Sequence, residues 1–180
     1  MNFKKIKQKI KDVYLIKQFP REDNRGALRR HFCEERFKDL NLIIKIKQIN
    51  ISQNYSKHTL RGFHYYKKPN EEDKIISCIK GSIYDIVLDL RKNSPTIHKW
   101  QYFQLSDSDN KSLFIPKGCA NAYLTLEKNT WILYYHSKFY KPEYDASLKY
   151  NDPYFKFKWP FKPKVISKRD KMNPIFKNLK

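Results

Sequence analysis

Glycine is scarce in this sequence, cysteine is sparse and unpaired, acidic residues are outnumbered, and long apolar runs are missing. Three cysteines, Cys33, Cys78 and Cys119, lie far apart and form no C-x-x-C pair. Neither a disulfide framework nor a zinc site is indicated, and a reducing compartment fits. No stretch approaches the ~18 consecutive apolar residues of a spanning helix, and the mean hydropathy is -0.82. The chain is therefore expected to be soluble, with no membrane partner. Met1 to Lys11 interleaves lysines with single isoleucines and never develops the ~7–15-residue apolar core of a secretory signal, so the expected location is the cytoplasm. The sequence also lacks the G-x-x-x-x-G-K-[ST], G-x-G-x-x-G and G-x-S-x-G patterns, which removes the signatures of P-loop, dinucleotide-binding and serine-hydrolase chemistry. Five histidines, His31, His58, His64, His98 and His136, form no H-x-H or H-E-x-x-H pair. No metal and no cofactor are expected. What remains is acid and base chemistry by histidine, aspartate, lysine and tyrosine, provided that a pocket gathers them.

What is present is positive charge and aromatic mass. Lys and Arg number 38 against 18 Asp and Glu, a formal net charge of +20. Such an excess asks for a nucleic acid, an anionic membrane surface or a small phosphorylated ligand; alternatively, the lysines simply coat the surface, since they are scattered and form no dense block. With 180 residues, 40% of them hydrophobic and 16% aromatic, one core is well supplied, and residues 1–180 read as a single domain.

Helical periodicity is rare, whereas short alternating or β-branched runs recur between turn residues. Ile43–Ser52, Lys74–Ile79, Ser82–Leu90, Trp100–Leu105, Ser112–Ile115, Ala122–Leu126 and Thr130–Phe139 read as strands, a mostly β pattern typical of a sandwich or barrel. One minor helix is expected over Phe32–Leu40. Gly81 marks a hairpin turn, Gly118 a turn after Pro116, and Gly62, inside an aromatic strand, a bulge or close backbone packing. A period of two in Ser82–Leu90 puts Asp85 and Asp89 on one face with Ile83 and Val87. These carboxylates either face water or line a pocket. In the last strand Ile132, Tyr134 and His136 share a face. The basic segment Lys162–Lys180, with Pro163 and Pro174, reads as an extended wrapping tail or a loose one.

Several separated motifs resemble one family in order. Leu60-Arg61-Gly62-Phe63-His64-Tyr65 is similar to the L-R-G-L-H-[YF] signature of the dTDP-4-dehydrorhamnose 3,5-epimerases. Lys74 opens a strand as in that family's G-K-L-V-R. Asp85-x-x-x-Asp89-Leu90-Arg91 with Ser94-Pro95-Thr96, then Ile115-Pro116-x-Gly118-x-Ala120, Leu133-Tyr134, Tyr140-x-Pro142, Asn151-Asp152, Trp159-Pro160 and Ser167-x-x-Asp170 continue the match. It runs from about Arg25 to Asp170.

The resemblance implies an all-β, cupin-type jelly roll (double-stranded β-helix) with minor helices, commonly a homodimer. It implies a cofactor-independent isomerase acting on a nucleotide-diphosphate-linked 4-keto-6-deoxy sugar, in bacterial surface polysaccharide synthesis. By position it makes His64 the base and Asp170 its paired carboxylate, Lys74 the cation at the enolate oxygen and Tyr134 the acid on the opposite face. Arg25 and Arg61 correspond to arginines on the diphosphate, and Gln48 and Asn50 to polar groups beside the nucleotide. Tyr140, Asp145 and Arg169 complete the expected binding set.

Two positions depart from the pattern. The family's P-x-G-x-A-H carries a histidine where this chain has Asn121, which cannot carry a proton charge at neutral pH. A glutamate common near the nucleotide base falls at Arg30. These changes point to a divergent member: inversion at C3 without C5, or a different nucleotide sugar such as a GDP-linked hexose or heptose. A ketoisomerase on the same scaffold, or a non-catalytic carbohydrate- or nucleic-acid-binding jelly roll, are the competing readings.

Overall fold

The computed structural model describes residues 2–179. Its strands run in chain order β1 (Phe3–Lys7), β2 (Tyr14–Gln18), the hairpin β3 (Arg21–Asp23) and β4 (Gly26–Leu28), β5 (Gln48–Asn54), β6 (Thr59–Tyr66), β7 (Lys74–Lys80), β8 (Ser82–Asp89), β9 (Trp100–Ser106), β10 (Lys111–Ile115), β11 (Cys119–Thr125), β12 (Thr130–His136), β13 (Asp145–Ser147) and β14 (Val165–Ile166). Helix α1 (Glu34–Asp39) precedes β5, and α2 (Lys168–Lys171) follows β14. Among these residues no helix is long and apolar enough to cross a membrane.

Two sheets face each other. The first has the order β1-β2-β10-β7-β12-β5, the second β13-β6-β11-β8-β9, with β14 added parallel to β6. From β5 to β12 the chain crosses between the sheets at almost every connection, the winding of a cupin-type jelly roll. The sequence reading of an all-β fold with minor helices holds.

The interior and both outer faces are apolar, which explains why several strands read as nearly continuous hydrophobic runs. Between the sheets, Ile76, Ile83, Val87, Phe103, Tyr123 and Ile132 form the inner core. Outside the first sheet, Phe37 of α1 packs with Leu42 and Ile44 against Ile16, Ile75 and Phe114. Outside the second, the C-terminal segment lays Phe155, Phe157, Trp159 and Phe176 over Phe63, Tyr84, Ile86 and Leu88. Tyr84 and Trp100 anchor it by donating to the carbonyls of Lys158 (2.9 Å) and Phe155 (3.0 Å).

The expectation that Asp85 and Asp89 could face water is corrected by this layering, because both are fully buried. Asp89 is structural: Arg91 (2.8 and 2.9 Å), Ser94 (2.5 Å) and Thr96 (2.7 Å) all donate to it. Burial alone would raise its pKa, but these donors take it down to about 2. Asp85 points elsewhere, toward the cavity described below.

Boundaries shift where packing overrides local pattern. The run expected to begin at Ile43 pairs only from Gln48, since Ile44 is committed to covering the first sheet. The expected Phe32–Leu40 helix shortens to α1, with the Phe32 ring packed at a tilt against Phe37 at 4.9 Å just before it. Gly62 has φ +110, and a Cβ there would lie 2.6 Å from the Asn121 carbonyl oxygen. Here the β6 backbone lies against that of β11 with no room for a side chain, and their register shifts between Asn121 and Tyr123.

Candidate active site

One end of the jelly roll opens into a cavity of about 330 Å3 whose walls come from both sheets. Alternation selects what enters it from β11 and β12, whereas β5 and β6 also contribute the neighbouring Ile51 and Tyr65. From the first sheet come Asn50 and Ser52 of β5, Lys74 of β7, and Tyr134 and His136 of β12; from the second come Arg61, His64 and Tyr66 of β6, with Asn121 and Tyr123 of β11. Tyr140, Asp145 and Arg169 also line it, the last two joined by an ion pair of 2.6 Å.

On the second-sheet wall, His64 Nε2 lies 2.7 Å from Asp170 Oδ1. The Asp170 side chain is only 5% exposed. It comes from α2, whose first turn is capped by Ser167 Oγ accepting from the Asp170 backbone N–H at 3.0 Å. Burial pushes the Asp170 carboxyl up, but the hydrogen bond and charge of His64, the Gly62 N–H and the Ser167 hydroxyl outweigh it and hold the group below its ordinary value. An ionised Asp170 accepting from Nε2–H leaves His64 Nδ1 as the basic nitrogen.

Across the cavity, burial raises the Tyr134 phenol well above its ordinary pKa, and the neighbouring Tyr123 and Asp85 add to the effect. Tyr134 is therefore a neutral proton donor at neutral pH. Between the walls a polar chain runs through the interior. Lys74 Nζ donates to Asn121 Oδ1 at 3.2 Å and pairs with Glu72 Oε1 at 3.4 Å, while Asn121 Nδ2 donates to Asp85 Oδ2 at 3.0 Å. Burial drives Asp85 up to about 8, against the opposing pull of Asn121 and Lys74. Glu72 goes the other way: burial raises it, but Lys74 and His136 hold it ionised.

Of the residues singled out in the sequence, His64, Lys74, Tyr134, Asn50, Arg61, Asn121, Tyr140, Asp145 and Arg169 line the cavity, and Asp170 backs His64. Gln48 stands just outside, its Oε1 accepting from the Tyr140 N–H at 2.7 Å. Arg25 and Arg30 lie apart from it. Arg25 sits in the exposed β3–β4 turn, paired with Asp23 at 2.6 Å, and Arg30 is exposed beyond β4. Asn121 enters the cavity with its carbonyl oxygen and one N–H already engaged.

Sequence reasoning passed over Glu72, His136 and Tyr123 as site residues, and left Asp85 between water and a pocket. The alternation that pairs His136 with Tyr134, and Asp85 with Val87, was the available signal; Glu72, in the irregular segment before β7, offered none. Among the described residues no cluster of three or more His, Cys, Asp or Glu is arranged to hold a metal ion. The converging groups are a histidine–carboxylate pair, an ammonium and a phenol, the equipment of proton transfer beside a carbonyl.

Such a site inside a cupin-type jelly roll defines a class, the acid–base isomerases. Comparison with known proteins narrows it. The family model described as dTDP-4-dehydrorhamnose 3,5-epimerase matches residues 7–178. An enzyme of that name from Methanothermobacter thermautotrophicus is 31% identical over 97% of this chain and 98% of its own. The crystal structure of the Bacillus anthracis enzyme, with TDP and pyrophosphate bound, superposes with a TM-score of 0.94 at 29% identity, covering 97% of this chain and 99% of that one. A 3′-monoepimerase from Streptomyces bikiniensis in complex with dTDP-quinovose gives a TM-score of 0.88 at 26% identity over 94% of this chain and 86% of its own. The chain belongs to the dTDP-4-dehydrorhamnose 3,5-epimerase family and is an isomerase.

Proposed function

We propose that this epimerase inverts C3, or C3 and C5, of a nucleotide-diphosphate-linked 4-keto-6-deoxy sugar bound in the cavity between the sheets. The observation that carries the reading is the opposition of two proton-handling groups, His64 backed by Asp170 on one wall and the neutral Tyr134 phenol on the other. A C4 ketone acidifies the hydrogens at C3 and C5. His64 Nδ1 removes one, the electron pair moves through C4 onto the ketone oxygen, and the Lys74 ammonium stabilises the resulting charge. Tyr134 returns a proton to the opposite face, and the carbon is inverted.

Arg61 and Arg169 are the cavity guanidiniums suited to the diphosphate, which they can grip bidentately. Asn50, with Gln48 behind Tyr140, is assigned to the nucleotide end. This use of cations gives part of the +20 charge a specific partner. A homodimer is supported by β5, which ends the first sheet with its second edge unpaired among the described residues and leaves Ile49 and Ile51 57% and 53% exposed.

Inversion at C3 alone is the alternative outcome to be tested, because Asn121, at the position of the family histidine, is non-titratable. The test is product configuration by NMR after incubation with dTDP- and GDP-linked 4-keto-6-deoxy sugars. Inversion at C3 of at least one substrate is expected. Inversion at both carbons would remove the C3-only reading. Folded protein that inverts no substrate, but binds nucleic acid with salt-sensitive affinity, would overturn the proposal in favour of a binding module.

A further inference from the structure

The cavity contains a second histidine–carboxylate pair. His136 follows Tyr134 by two residues on β12, so both side chains enter the cavity from the same face, their rings stacked 5.7 Å apart at 16°. Its Nδ1 lies 2.9 Å from Glu72 Oε2, while the other oxygen of Glu72 pairs with Lys74 at 3.4 Å. In the β7–β12 ladder His136 stands directly opposite Lys74. Glu72 is buried, with its side chain 6% exposed, and is held ionised despite that burial. With Nδ1–H donated to a fixed carboxylate, Nε2 is left on the far side of the ring, and among the described residues it makes no hydrogen bond.

We infer that His136 is a further catalytic residue, donating its Nε2 proton to the substrate's C4 oxygen beside Lys74, and that Glu72 positions both groups. The inference rests on the proposed sugar epimerisation. Asn121, at the position of the family histidine, has no proton to give; the imidazole on the neighbouring sheet does.

The step balances internally. As His64 takes the carbon-bound proton, the C–H electron pair becomes the C=C bond of the enol and the carbonyl π pair moves to oxygen. That oxygen takes the proton from His136 Nε2. On return, the enol O–H gives its proton back to His136, the π pair closes on carbon, and carbon takes its new proton from Tyr134; exchange with water then removes the proton held by His64 and restores the one lost by Tyr134. Glu72 also sets the net charge that faces the oxygen. Its carboxylate offsets the Lys74 charge, and only with His136 protonated does the Glu72, Lys74 and His136 group carry net positive charge toward the oxygen.

The experiment compares wild-type protein with His136→Gln and Glu72→Gln, using the nucleotide-linked 4-keto-6-deoxy sugar that the wild type turns over, and follows deuterium uptake at the sugar carbons in heavy water. His136→Gln retains a neutral amide near Glu72, and is expected to lower kcat for uptake about a hundredfold with KM changed less than threefold. Glu72→Gln is expected to fold, to leave KM for the substrate within threefold, and to move the alkaline limb of the kcat–pH profile to lower pH as the imidazolium loses its carboxylate. The titratable groups facing that imidazole are Glu72, Lys74 and Tyr134, with Asp85 reached through Asn121. Uptake by His136→Gln within threefold of wild type, or an unmoved limb in Glu72→Gln, would overturn the inference. Wild-type protein that exchanges no such sugar would instead overturn the reading on which it rests, so the two failures are distinguishable.

Discussion

Asp85 occupies an unusual position for a carboxylate, fully buried on β8 with Oδ2 accepting from Asn121 and Oδ1 unbonded. Its pKa near 8 means that the native state keeps a proton that the unfolded chain has already released above about pH 4. Native protein thus binds more protons across that interval, and stability falls as pH rises from about 4 to about 8. Asp170 has the opposite sign. Its lowered pKa contributes stability above the ordinary carboxylate range, and that contribution is lost on acidification. Asp85→Asn is expected to remove most of the alkaline-side fall, on the order of a few kcal/mol between pH 5 and pH 8. Urea unfolding at the two pH values checks this; equal losses in wild type and variant would contradict the buried, protonated assignment. At this scale the sequence was partly readable. His64, Lys74, Tyr134 and Asp170 could be located because each sits in a motif with fixed neighbours. Glu72 could not, and the alternation that puts His136 beside Tyr134 did not reveal its partner, because the Glu72–His136 contact is created by the pairing of β7 with β12 and has no local spacing.

At the scale of elements, β6 carries the most constrained backbone near the site. Gly62 and His64 are two residues apart, and the opposing Asn121 and Ala122 backbone passes close enough that any Cβ on Gly62 would meet it at 2.6 to 2.7 Å. Gly62→Ala must therefore push β6 from β11 and abandon φ +110, at a cost of at least about 2 kcal/mol. A lowered denaturation midpoint together with reduced activity is the expected result, and an unchanged midpoint would contradict the close-packing role. The strands from β7 to β12 were legible because their faces are buried and their turns carry Gly81, Pro116 and Gly118. β1 was not, as its Phe-Lys-Lys-Ile-Lys sequence presents lysines through which only Phe3 and Ile6 show an apolar signal. The β3–β4 hairpin is exposed throughout, and so has no hydrophobic face to read. β13 and β14, three and two residues long, exist through pairing with β6 and have no pattern of their own.

Over the whole molecule, the sheets and the C-terminal segment divide the labour of one site. The second sheet supplies His64, the first supplies Tyr134, and the segment that wraps the second sheet's outer face delivers Asp170 to the histidine from 106 residues away. The aromatic contacts of Phe157 and Trp159 with Phe63 and Trp100 thereby fix the base as well as the fold. The basic excess of the chain is compatible with lysines that only coat the surface and equally with an anionic ligand. The family motifs, and the cavity in which most of their residues meet, convert that into a nucleotide-linked sugar. The central claim is that proton removal and proton return occur from opposite walls, and Tyr134→Phe separates them. Deuterium uptake and configurational inversion should be measured together on this variant in heavy water. Uptake should remain within about tenfold of wild type, because His64 can remove a proton and return a deuteron on its own face, while inversion falls at least about a hundredfold. Equal loss of uptake and inversion would contradict the two-walled account.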